Sequence, residues 1–368
     1  MGNEQKNREA VNQTDAEASD HRDGSNVGVQ AWPWLGKVRG PFVAPCSAFV
    51  LLLAASAVIA PSSVAMHSLN NLLYFGSILG LVALGQFIVI IVGGIDLSVA
   101  PTITLSGILF AKVVGDSGLG VFTATAVVLG ASLMIGLLNG LSVTVLRVTP
   151  LIATLSVGAL AVGVAYSEGG TGVQVAVPDS VSHFLTNRTF FGAISVPTVA
   201  WLAATLGVAW LLRFTVVGRR FVATGASAPA ARALGIRVEA YKVAGYMSCA
   251  FFAGLTGIVL AAVALQPGIS LGDPYLLPSL VAVIVGGAPF GGGIGSAIAT
   301  AIGALFWTQL SALALSFNAS YSIQLILEAV VLAGAVALYN AGAVTFWLRA
   351  ALRKFTVLPR PFSQVGKG

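Results

Sequence analysis

The sequence predicts an all-α integral membrane protein of about ten transmembrane helices, some short or broken, with both termini cytoplasmic. Of its 368 residues, 57% are hydrophobic and only 9% charged, whereas a soluble domain carries about 25% charged residues. The mean hydropathy is +0.91. The chain is also written in apolar runs near the ~20 residues that a helix needs to cross a bilayer. The placement of its basic residues then orients those runs.

Residues 1–40 read as a separate, disordered cytoplasmic tail, because 1–30 is rich in Asn, Glu, Asp, Ser and Gly and nearly empty of large apolar side chains. Its acidic, polar start lacks the basic flank and apolar core of a secretory signal. Trp32, Trp34, Lys37 and Arg39 form an aromatic and basic interfacial anchor. The membrane domain occupies 41–340, and 341–368 is a basic cytoplasmic tail.

Within the membrane domain, spans are expected at 42–60, 72–92, 99–114, 121–146 and 151–167. Five more follow at 198–212, 243–265, 276–285, 294–315 and 321–338. The third, sixth and eighth are short enough to be half-spanning or broken. Pro150, Pro197 and Pro278 sit at or near helix starts, where a missing N–H costs least. With the N-terminus inside, 17 of the 19 basic residues fall on the cytoplasmic side, leaving Lys112 and Arg188 outside. That is the positive-inside pattern. It also accounts for the net charge of +6 without nucleic acid, since the charge is spread over membrane-flanking loops.

Two cysteines, Cys46 and Cys249, lie inside apolar runs and read as small packing residues. Three histidines offer no metal or triad constellation, which disfavours a membrane enzyme. The Asn187-Arg188-Thr189 match to a glycosylation acceptor is read as chance. Most of the 43 glycines serve close helix packing.

The chemistry concentrates in three places. The first is Gly93-Gly94-Ile95-Asp96-Leu97-Ser98, which interrupts the apolar sequence directly after the second span. Irregular backbone at membrane depth is tolerated only where protein buries it or where it lines a watery cavity. An ionisable residue at such a break is a functional-site hypothesis by default. The other reading of Asp96 is an N-cap satisfying the first amides of the third span. The second place is the glycine-rich run from Gly286 to Gly295, whose Ile284-Val285-Gly286-Gly287 repeats Ile91-Val92-Gly93-Gly94. Internal duplication and coincidence both fit that repeat. The third is the loop 213–242, the longest on the cytoplasmic side. Its Ala-rich piece 228–234 reads as a short helix ended by Gly235, suited to dock in a partner's groove. An ordinary charged loop orienting two spans fits the same sequence.

Together these motifs make the chain resemble the membrane-spanning permease subunit of ribose-type (monosaccharide) ABC importers. The resemblance rests on Gly93-Gly94-Ile95-Asp96-Leu97-Ser98-Val99, on Pro150-Leu151-Ile152-Ala153-Thr154-Leu155, on Ala230, Ala231, Gly235 and Ile236, and on Val285-Gly286-Gly287 with Phe290-Gly291-Gly292. These occur in the family's order across 70–338. The chain departs from the family pattern at Ala226-Ser227, at Ala161-Val162-Gly163, at Ala288-Pro289 and at Glu328.

The resemblance implies a subunit of an ATP-driven importer in the bacterial inner (plasma) membrane, carrying a monosaccharide or similar polyol. It implies a second permease copy, a cytoplasmic ABC ATPase that uses ATP and Mg, and a periplasmic or lipid-anchored sugar-binding protein. Gly93, Gly94, Asp96, Ser98, Asn139, Thr154, Gly286, Gly287, Gly291 and Gly292 become candidates for the translocation path or its gate. Ala230, Ala231, Arg232, Gly235 and Ile236 become candidates for coupling to the ATPase.

The residues themselves support that division of labour. The chain contains no G-x-x-x-x-G-K-[ST] phosphate loop, so no cofactor is expected on it and energy must arrive from a partner. Only Asp96, Glu328 and Lys112 carry charge within or near spans. A neutral, hydroxyl-rich cargo fits that scarcity, served by groups such as Asn70, Asn71, Gln86, Asn139, Thr154, Ser156, Gln309, Asn318 and Gln324. Helix–helix hydrogen bonding is the commoner role for any one of these. The alternative is a proton- or sodium-coupled carrier, with Asp96 and Glu328 as its coupling carboxylates.

Overall fold

In a computed structural model, residues 43–115, 120–169, 176–186, 188–190 and 194–339 are described. The expectations for residues 1–40 and 341–368, and for the side chain of Glu328, lie outside them. The described residues all fall within the unit Gly40–Ala341.

The chain folds as helices: α1 (Val43–Ile59), α2 (Met66–Ile91), α3 (Val99–Gly115), α4 (Val121–Thr144), α5 (Pro150–Gly169), α6 (Asp179–Thr186) and α7 (Val196–Phe214). After these come α8 (Val216–Ala226), α9 (Ala228–Ala233), α10 (Val238–Ala264), α11 (Leu276–Val285), α12 (Ala297–Ser316) and α13 (Tyr321–Tyr339). A small antiparallel hairpin, β1 (Arg188–Phe190) with β2 (Ile194–Ser195), leads into α7. Among the described residues, α2, α4, α5, α7, α10 and α12 are long and apolar enough to cross a membrane. The shorter apolar helices are Val43–Ile59, Val99–Gly115, Asp273–Val285 and Ser322–Ala337. Every expected span therefore coincides with an apolar helix. The expected shortness of the sixth does not hold: α7 runs 19 residues, because Ser195 caps it and Pro197 falls in its first turn.

The architecture is organised around α2. From Gly76 to Val92 this helix is buried nearly without interruption, packed by α7, α10, α11 and α12. Its side chains Ile78, Val82, Phe87, Val89 and Ile90 form the axis of the core. A helix apolar on every face belongs inside a bundle, and α2 is that helix. By contrast α4, α5 and α7 bury only a minor share of their length and expose Leu138, Leu155, Leu206 and Trp210. Such surfaces suit hydrocarbon.

Lipid tails are as apolar as Leu, so helix association here depends on close packing and interhelical hydrogen bonds. Helix α4 supplies a small-xxx-small face, Gly136 and Gly140. A Cβ on Gly136 would stand 2.6 Å from Met247 Cα, and one on Gly140 2.7 Å from Val243 Cα. Two hydrogens thus let α4 and α10 approach backbone to backbone. Between these glycines α4 carries Asn139, fully buried, so the close approach also delivers an amide into the bundle.

Candidate functional site: a capped break and a three-way glycine junction

The break after α2 is built by two caps in succession. Helix α2 ends with Gly93 at φ +81°, its N–H donating to Ile90 O at 2.8 Å, while Gly94 N–H donates to Val89 O at 3.0 Å. This pair is a Schellman cap, which uses the left-handed conformation that glycine adopts without penalty. Five residues after Gly94, α3 starts. Ser98 occupies its cap position, its carbonyl accepting from Thr102 N–H at 2.8 Å. Asp96 stands two residues earlier and accepts from Ser98 N–H at 2.8 Å and from Ser98 Oγ at 2.6 Å, both on Oδ1. The N-cap expectation for Asp96 is thereby displaced by two residues, since Asp96 orders the capping residue and leaves the first amides of α3 alone.

Four other helices hold this loop. From α2, Gln86 Nε2 donates to the Asp96 carbonyl at 2.6 Å. From α4, Asn139 Nδ2 donates to Ser98 Oγ at 2.7 Å and more weakly to Asp96 Oδ1 at 3.4 Å. From α5, Thr154 Oγ1 accepts from Leu97 N–H at 3.1 Å. From α10, the Tyr246 hydroxyl lies where a Cβ on Gly94 would come within 2.6 Å, and the Cys249 thiol neighbours the Asp96 carboxyl. Asp96, Ser98, Asn139, Thr154 and Gln86 are all fully buried. Four path candidates predicted from sequence, Asp96, Ser98, Asn139 and Thr154, therefore converge on one buried polar hub. Its chemistry is fixation: a carboxylate saturated on one oxygen by neutral donors, with no ion pair to it among the described residues.

The late glycine run makes a second turn of the same kind. Gly287 at φ +88° donates to Ile284 O at 2.9 Å, and Ala288 N–H to Val283 O at 3.1 Å, so α11 also ends in a Schellman cap. The repeated Ile-Val-Gly-Gly does not superpose, however. The left-handed position is the first glycine in one copy (Gly93) and the second in the other (Gly287).

The two turns meet. Gly293 N–H donates to Ile91 O at 2.9 Å, satisfying a carbonyl that the end of α2 leaves without an intrahelical partner. A Cβ on Gly292 would lie 2.8 Å from Gly93 N. The end of α8 closes the group: a Cβ on Gly225 would collide with Ile91 O and stand 2.7 Å from Gly293 N. One on Gly293 would lie 2.6 Å from Ala226 N. Three segments remote in sequence thus touch through their backbones at one end of α2. Of the predicted glycines, Gly93 and Gly292 are in this junction, Gly286 packs against Thr300 on α12, and Gly291 has open space where its side chain would be.

The loop 213–242 is more ordered than a single helical piece in a charged connection. Helix α8 opens on Thr215, whose Oγ1 accepts from Gly218 N–H at 3.0 Å, and buries Phe221 and Thr224. Helix α9 ends as its sequence promised. Gly235 at φ +75° donates to Arg232 O at 2.9 Å, and Ile236 N–H to Ala231 O at 3.0 Å, a third Schellman cap. Arg232 then pairs with Glu239 at the start of α10 at 2.7 Å. Ala230, Arg232 and Gly235 are exposed, Ile236 is partly covered, and Ala231 is buried beneath them. Ala231 therefore packs the tip and presents no side chain at its surface.

Sequence reasoning passed over Gly225, Gly293, Tyr246 and Leu234. Gly225 carried a readable signal, since a glycine inside an amphipathic helix costs about 1 kcal/mol against alanine and needs a packing reason. Leu234, 79% exposed at the tip of the loop, is a large apolar side chain left in the open.

The family described as the branched-chain amino acid transport system / permease component matches residues 68–336, and the chain belongs to it. It is a permease subunit of the ABC-importer class, not an enzyme. The chain is 32% identical over 304 residues to the ribose import permease protein RbsC of Escherichia coli K12, covering 80% of this chain and 92% of the relative. It is 31% identical over 303 residues to RbsC of Bacillus subtilis, covering 81% and 91%. Autoinducer 2 import system permease protein LsrC of Yersinia pseudotuberculosis is 28% identical over 267 residues, covering 72% and 74%. No solved structure matches the chain.

Proposed function

We propose that this chain is the transmembrane subunit of an ATP-driven importer that moves a monosaccharide or similar polyol across a bacterial inner membrane. In this reading the chain crosses the membrane ten times, and the positive-inside pattern of its basic residues supports cytoplasmic termini. The chain works as one of two permease copies, with an ABC ATPase on the cytoplasmic face and a sugar-binding protein outside. The observation that carries this reading is the seating of α8, and through it the exposed tip of α9, on the glycine junction at the end of the central helix. A stroke delivered to α9 has a short backbone route into α2. Names of the relatives, ribose and autoinducer-2 import permeases, support the cargo class.

The candidate residues then divide their tasks. Gly93, Gly292, Gly293 and Gly225 form the joint, and Asp96, Ser98, Asn139 and Thr154 hold the neighbouring loop rigid beside the path. Ala230, Arg232, Leu234 and Gly235 face the ATPase. The carrier alternative loses ground at Asp96, because a carboxylate tied into a cap is ill placed to release and rebind a coupling ion. Proteoliposomes holding the permease and its ATPase should accumulate sugar only with ATP inside the catalytic compartment and loaded binding protein outside. Uptake by the permease alone, driven by a pH or sodium gradient, would overturn the proposal and point to Asp96 and Glu328.

A further inference from the structure

At the opposite end of α2 from the glycine junction lies a cavity of about 260 Å³ that the importer reading does not use. It is lined by Asn70, Tyr74 and Phe75 of α2, Thr186 of α6, Ser195 and Thr198 at the start of α7, with Val263 of α10 among the remainder. About 20 residues of helix separate this lining from Gly93, a rise of roughly 30 Å and thus the thickness of a bilayer core. The cavity therefore opens on the membrane face opposite α8 and α9, where cargo arrives.

Its chemistry is consistent throughout. None of the lining residues carries a charge at neutral pH. Two amides, Asn70 and Asn71, and the hydroxyls of Tyr74, Thr186, Ser195 and Thr198 provide donors and acceptors, and Tyr74 and Phe75, edge to face at 5.2 Å, provide an aromatic wall. Ser195 Oγ and Thr198 Oγ1 bond each other at 2.8 Å and Thr186 Oγ1 donates to Ser182 O at 2.8 Å, each keeping acceptor capacity, while the buried Tyr74 hydroxyl has no hydrogen-bond partner among the described residues. Sites for drug-sized ligands run to ~300–1,000 Å³, so this one admits a single small ring and not an oligosaccharide.

We propose that this cavity is an entry subsite for one neutral polyhydroxylated ring, with Phe75 and Tyr74 against its C–H face and Asn70, Thr186 and Thr198 on its hydroxyls. The proposal rests on the importer reading for its cargo class and adds the place where cargo first meets this subunit. A charged sugar acid of the same size should be rejected, because nothing in the lining neutralises it.

The test uses the full-length permease in spheroplasts, with Cys46→Ser to remove the partly exposed native thiol and Asn70→Cys as the reporter. An impermeant thiosulfonate is applied from outside in the presence of D-ribose, D-galactose, myo-inositol or, as the charged control, D-gluconate. Labelling should slow several-fold with at least one neutral compound and stay unchanged with gluconate. Labelling indifferent to every neutral compound, or slowed as much by gluconate, overturns the subsite. In transport, Phe75→Leu should raise KM about threefold to tenfold while Phe75→Trp keeps it near the parent, the loss expected of an aromatic platform. A purely structural Phe75 would tolerate Leu better than Trp, and that order also overturns the proposal. Protection requires no ATPase, so the two readings fail separately. ATP-driven uptake without protection removes the subsite alone, and protection with gradient-driven uptake removes the ATP-driven importer alone.

Discussion

Gly225→Ala is the sharpest test of the glycine junction. In an isolated helix the change would stabilise α8 by about 1 kcal/mol, because alanine is the better helix former. In this structure the new methyl collides with Ile91 O and stands 2.7 Å from Gly293 N. Restoring van der Waals contact requires α8 to withdraw by on the order of 1 Å, an overpacking cost of about 1–3 kcal/mol. Withdrawal also strains the Gly293 N–H···Ile91 O bond, worth about 0.5–1.5 kcal/mol. The balance is a loss of about 1–3 kcal/mol confined to the joint, too little to unfold the bundle. With the permease and its ATPase in proteoliposomes, the ratio of sugar transported to ATP hydrolysed should fall several-fold while assembly holds and the melting temperature drops by only a few degrees. Gly207→Ala in α7, which meets nothing within 4 Å, is the control and should be silent. An unchanged transport ratio in Gly225→Ala would refute the claim that force passes through this contact.

Asp96→Asn keeps an oxygen for Ser98 and should cost about 1 kcal/mol. Asp96→Leu strands Ser98 N–H and Oγ and should cost about 3 kcal/mol or more, read as melting temperature in detergent; equal loss of transport in both variants at normal stability would mean the charge itself is used. Gly136→Val should drive a side chain into Met247 Cα, and about 1–3 kcal/mol of stability should go with it; unaltered stability would show that α4 and α10 do not pack as described. Leu234→Asp and Gly235→Val should detach the ATPase or uncouple it while the permease still inserts. Cysteines at Ala230 or Arg232 should crosslink to the ATPase, and crosslinks to the external binding protein would overturn the topology. Ala231→Trp, by contrast, should disrupt the loop itself, because Ala231 is buried.

The sequence by itself determined the class, the apolar helices, the short helix ended by Gly235 and the positions of both glycine-rich turns. Those features are local or compositional. Apolar runs, cap residues and left-handed glycines act over a few neighbours, so they can be read without knowing what lies across the bundle. Tertiary structure alone decided what the motifs touch. Asp96 reads as an intramembrane charge in sequence, and the groups that hold its loop, Gln86, Asn139 and Thr154, come from three other helices, with sequence separations up to 57 residues for Thr154 with Leu97. Ala231 and Ala230 are indistinguishable in sequence, and the turn of α9 buries one and exposes the other. Gly225, Gly293 and Ile91 carry no mutual signal, because their contact is backbone on backbone and leaves no side-chain pattern to read. Helix packing brought these segments together, and the absence of a Cβ is what allows them to stay.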